Sequence, residues 1–132
     1  MVMRTKSYFK PISIPLYRTY TFIVINMSDE ELEEKLEQFI PSKKEIKEIV
    51  KDSRVDRGYQ AMTAYADGYS IVRYNHIKDI QDLNIIAHES FHVTCCIMRY
   101  VDIPLSEDSE EAFAYLLGYI TEQYQELIEI LK

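Results

Sequence analysis

The order of apolar and polar positions along the chain predicts its elements one after another. Ile12-Ser13-Ile14 alternates, and Tyr20 to Ile25 is a β-branched and aromatic run, so the chain opens in extended form. Pro11 and Pro15 suggest an edge or a break before the main strand. Ser28-Asp29-Glu30-Glu31 is a capping box, and Leu32, Leu36, Phe39 and Ile40 follow at helical spacing until Pro41. Ser42-Lys43-Lys44-Glu45 is a second capping box, with Ile46, Ile49 and Val50 on one face. Two short amphipathic helices are therefore expected over residues 28–52.

Residues 60–65 and 69–74 flank Ala66-Asp67-Gly68, and Asp-Gly is a strong tight-turn signal, so a hairpin is expected. Asp79 is expected to open a helix running to about Tyr100. Its apolar residues, among them Leu83, Ile86, Phe91, Val93 and Ile97, lie nearly all round, which predicts a central, buried helix. Asp102-Ile103-Pro104 breaks it. A last helix starts near Glu107–Ser109, with Phe113, Leu116, Ile120, Tyr124 and Leu127 in its core stripe. The order is strand, two helices, hairpin, buried helix, final helix. That is an α+β fold with a small, mostly antiparallel sheet packed on helices.

The length of 132 residues suits one domain, and the 47% apolar content is enough for one core. A formal charge of -7 argues against a general nucleic-acid or anionic-membrane surface. Cys95 and Cys96 are adjacent and point about 100° apart on a helix, badly placed to bridge each other, so they are read as reduced thiols of a cytoplasmic protein. Arg4, Lys6 and Lys10 are not followed by an apolar stretch of leader length before Pro11, and Phe22 to Ile25 is too short to span a bilayer.

The chemistry concentrates in His88-Glu89-Ser90-Phe91-His92. The i, i+4 spacing puts both histidines on one helical face, so their imidazoles can converge on one ion at about 2.0–2.1 Å, the distance zinc takes from histidine. Glu89 sits about 100° round the helix, an offset that suits a base acting on a metal-bound water. Catalytic zinc sites usually have three protein ligands. Residues 93–110 separate His92 from Glu111, which opens the last helix. An antiparallel return would bring that first turn alongside the end of the histidine helix. Neighbouring Glu110 is the alternative, and the 100° step between the two means that only one would reach the ion.

HESFH followed eighteen residues later by the Glu of EAFAY resembles the gluzincin pattern of zinc metallopeptidases. The compact ending SEEAFAYLLGYIT looks like that of the small zincin-like proteins encoded by phages and prophages. The likeness covers about Gln60 to Glu122 well and the N-terminal elements only in outline. It implies a minimal zincin fold, zinc at His88, His92 and Glu111, and Glu89 as base. It supplies no substrate.

Each of these residues also has a plainer reading. The histidines could be hydrogen-bonded core residues, and Glu89 a salt-bridge partner of Arg99. His76 could complete the metal site but lies roughly 15 Å along the helix from His88. Cys96 is conceivable as a thiolate ligand, though a small core residue fits it better. Tyr115, one turn past Glu111, is a candidate to hydrogen-bond a ligand or the reacting oxyanion, and packing is an equal alternative. The hairpin is the expected edge for an extended peptide substrate, by analogy with zincins. The expectation is a zinc-dependent peptidase acting on a peptide or protein. The competing expectation is a metal-stabilised zincin-fold binding protein with little or no catalysis.

Overall fold

The structure, a computed structural model, describes residues 6–56 and 58–132; Arg4 lies outside the described residues. Strands β1 (Tyr8–Ile14), β2 (Thr19–Ile25), β3 (Ala61–Ala66) and β4 (Tyr69–Tyr74) form one sheet in the order β1-β2-β4-β3. β1 pairs antiparallel with β2, and β3 with β4. The central pair β2/β4 is parallel, with Thr21 opposite Ser70 and Ile25 opposite Tyr74. Two of the three pairings are thus antiparallel, and the α+β class holds.

The chain reaches the centre of the sheet first. Along β2, Thr19 and every residue from Thr21 to Ile25 are buried, because helices cover both faces. Phe22, Val24 and Ile71 face α1 (Asp29–Leu36) and α2 (Lys43–Asp52), which contribute Leu32, Leu36, Ile46, Ile49 and Val50. Ile23, Ile25, Val72 and Tyr74 face α3 (Leu83–Tyr100) and α4 (Glu110–Leu131). Each such aliphatic side chain contributes about 1.5–3 kcal/mol when fully buried.

Local chemistry sets the boundaries. Ser28 and Ser42 accept from the backbone N–H groups of Glu31 and Glu45 at 3.2 and 3.3 Å, so both capping boxes start helices where expected. β1 is a strand in its own right and returns into β2 through a 3-10 turn at Pro15–Tyr17. Asp67 and Gly68 both have positive φ, 46° and 85°, which closes the β3/β4 hairpin in two residues. The ring of Tyr100 lies directly over Gly68. A β-carbon there would stand 2.6 Å from its Cζ.

Two expectations need correction. Asp79 does not open α3. It sits in a separate 3-10 turn, Ile77–Gln81, and α3 begins after Asp82, whose side chain accepts from Asn84 N–H at 2.9 Å. Nor is α3 buried all round. Ile86, Ser90, Val93, Thr94, Ile97 and Met98 face inward, while Leu83 is 79% and Phe91 46% exposed. The sheet and α4 cover only part of the helix, so its apolar excess exceeds what the fold buries. The exposed side carries the two histidines. α4 is pinned by Tyr124, which shares a 2.8 Å hydroxyl contact with Tyr74 of β4, and by Tyr119, which donates to the Ser13 carbonyl of β1 at 2.8 Å.

Candidate metal and catalytic site

His88 and His92 stand one helical turn apart, with Nε2 atoms 3.1 Å from each other and rings inclined at 72°. At that separation either one nitrogen carries the proton and the other receives it, or both lone pairs face a shared cation. Two nitrogens each bound tetrahedrally at about 2.0–2.1 Å would be about 3.3–3.4 Å apart. The pair therefore has close to the bite that zinc needs.

Glu89 turns away from them toward the sheet. It is 7% exposed, and its Oε2 accepts a hydrogen bond from the Thr63 hydroxyl on β3. Among the described residues no ion pair within 4 Å engages it. In particular it does not pair with Arg99, whose guanidinium carbon instead stands 5.5 Å from the centre of the Tyr65 ring.

Two cavities meet at this point. One, of about 660 Å³, is lined by residues 58–61 and by Asn84, Ile85, Ala87, His88 and Glu89. The other, of about 430 Å³, runs on between β3 and the second half of α3, past Thr63, Tyr65, His92, Cys95 and Cys96 to Arg99. Tyr59, Ala61, His88 and Glu89 line both. The result is a groove along the edge strand β3, with the histidine and glutamate near its midpoint. Within it, burial pushes the Cys96 thiol up to about 11, only partly offset by the Arg99 charge. Cys96 is therefore a neutral thiol near pH 7.

The other sequence-predicted residues stand elsewhere. Among the described residues no three His, Cys, Asp or Glu side chains gather closely enough to hold a metal ion. Glu111 and Glu110 are exposed in the first turn of α4 and line neither cavity. The reason is register. Phe113, two residues on, lines a hollow with Cys95, Arg99 and Ile103, so α4 starts against the last turns of α3, beyond His92. Tyr115 is 76% exposed and lines an apolar hollow with Pro15, Leu16, Tyr17 and Tyr119, away from the histidines. It is not placed to touch a ligand of theirs. His76 is an exposed residue ahead of the 3-10 turn and lines neither cavity.

Thr63 is the residue that sequence reasoning missed. Period-two alternation puts it on one face of its strand with Ala61 and Tyr65, but nothing local says that this face meets Glu89.

No helix among the described residues is long and apolar enough to cross a membrane. Comparison with protein-family models, with curated proteins and with solved structures gives no match for this chain.

Proposed function

We propose that the protein is a small metal-dependent hydrolase of peptides, with zinc as its metal. One observation carries this reading: the converging His88 and His92 nitrogens and the Glu89 carboxylate lie at the middle of a groove bordered by a sheet edge.

The donor set fits the ion at two positions. His88 and His92 would hold it through Nε2, and Glu111, which stands away from them here, would have to shift toward the pair to serve as the third protein ligand in the metal-loaded protein. Zinc bound there would supply a polarised carbonyl and an acidified water. The remaining work falls to this chain's own groups. Thr63 fixes the Glu89 carboxylate by its Oε2, leaving Oε1 free to accept the proton of the attacking water. The same oxygen then delivers that proton to the leaving nitrogen, which departs as a neutral amine.

The substrate class follows from the strand beside the groove. β3 ends the sheet, and among the described residues its outer edge pairs with no strand. At the opposite end, β1 carries Lys10 and Pro11, residues that blunt an edge. β3 reads Ala-Met-Thr-Ala-Tyr-Ala, with neither charge nor proline. An extended peptide could add there by main-chain hydrogen bonds and pass its carbonyls over the histidine pair.

A second reading draws on the absence of a gathered third ligand among the described residues. It is a protein that uses metal for stability and binds without turnover. Metal analysis and peptide-library digestion of the zinc-supplemented protein, repeated on Glu89→Gln, separate the two. A peptidase retains zinc in the variant and loses turnover by a factor of about a hundred or more. A chain that cuts no peptide in either form is the binding protein, and one that takes up no zinc sinks both readings.

A further inference from the structure

The groove has a chemically distinct far end. Tyr65, on the same face of β3 as Thr63, holds the Arg99 guanidinium against its ring at 5.5 Å. Among the described residues that line the two cavities, Arg99 is the permanent cation. Among the described residues Arg73 and Arg54 are both engaged by Asp29, while Arg18 and Arg99 join no ion pair, and of these two only Arg99 lines the groove. The planar fork of Arg99 suits two-point contact with a carboxylate, and stacking on Tyr65 limits the freedom lost when it binds one.

The position of this cation defines a distance. Arg99 is seven residues beyond His92 on α3, about 10 Å along the axis at 1.5 Å per residue. An extended peptide rises about 3.3 Å per residue, so the span corresponds to about three residues.

We propose that Arg99, held by Tyr65, is a carboxylate subsite that selects peptides bearing an anionic group about three residues from the bond aligned with the histidine pair. The carboxylate is either an Asp or Glu side chain or the free C-terminus of the peptide. The inference rests on the peptide-hydrolase reading for the identity of the ligand, but it is tested by binding and does not require turnover.

The experiment measures affinity of the zinc-supplemented full chain for synthetic fluorescent peptides. One glutamate is moved through every position of an otherwise neutral sequence, and each peptide is made with a free and with an amidated C-terminus. The expected result is a single favoured spacing between carboxylate and peptide centre, with binding about tenfold tighter than for the neutral peptide. Arg99→Gln removes the preference among peptides and Arg99→Lys restores part of it. A preference for the amidated or the acid series tells C-terminal from side-chain recognition. Absence of peptide binding, or a preference that survives Arg99→Gln, overturns the proposal. Selective binding without cleavage keeps the subsite and overturns only the hydrolase reading.

Discussion

Thr63 on the outermost strand donates its hydroxyl to the carboxylate of Glu89 on α3. This bond joins the wall of the groove to the group proposed as its base. Thr63→Val keeps the shape and removes the donor, leaving a buried carboxylate without its protein partner. Unfolding in denaturant should show a loss of about 1–2 kcal/mol. Turnover, where measured, should fall about tenfold with zinc content unchanged, because the carboxylate loses its orientation and keeps its place. A variant as stable as the parent would mean that solvent already satisfies Glu89.

The 3.1 Å approach of His88 and His92 makes a prediction for the metal alone. Zinc should raise the melting temperature of the parent protein, and a chelator should reverse the effect. His88→Ala and His92→Ala should each abolish the response. Glu111→Ala should weaken it about ten- to a hundredfold in zinc concentration if that carboxylate completes the site, and Glu110→Ala should not. Equal behaviour of both glutamate variants and the parent would remove α4 from the ligand set.

Gly68 and Tyr100 approach so closely that a β-carbon at residue 68 would displace the ring. Gly68→Ala adds a methyl group 2.6–2.7 Å from the ring at a residue whose φ is +85°. A loss of about 2 kcal/mol or more is expected in denaturant unfolding. Tyr100→Ala in the same chain should recover the part due to the clash and not the part due to the backbone. The double variant should therefore be more stable than the sum of the two single losses predicts.

Asp29 anchors the opposite face of the sheet. It accepts from Arg73 at 2.9 Å and from Arg54 at 2.8 Å, while Arg73 also donates to the carbonyls of Met27 and Val50. Burial raises the Asp29 carboxyl, but the hydrogen bonds and charges of Arg73 and Arg54 outweigh it, and the net pKa lies below the ordinary aspartate value. In the unfolded chain the group protonates first as pH falls. Its stabilising contribution is thus whole above about pH 4 and is lost as pH drops through the depressed folded value. Asp29→Asn should cost about 2 kcal/mol at neutral pH and leave a shallower loss of stability on acidification, read by denaturant titrations at the two pH values.

Much of the scaffold was legible because its signals are local. Two serine caps, one Asp-Gly turn and the stripe of α4 each act within a few residues. The histidine pair was legible for the same reason, since helix geometry alone brings positions four apart together. What the sequence did not disclose depends on distant register. The parallel pairing of β2 with β4 joins residues such as Thr21 and Ser70 through two intervening helices and a strand. The place of Glu111 depends on how residues 101–109 turn and on which turn of α3 receives Phe113. Leu83 and Phe91 made α3 look enclosed, although both face outward. A hydrophobicity pattern records which side chains are apolar, and only the packing decides how many of them the fold can cover.

The bare border of β3 also carries a hazard. An uncharged six-residue strand whose outward main-chain groups face no other described strand would template a copy of itself as readily as a substrate. Concentrated protein should tend toward sheet-mediated aggregation that begins at this rim, and a lysine in place of Met62 should suppress it. An occupying peptide would do the same job reversibly, so whatever fills the cleft would also act as a guard against clumping.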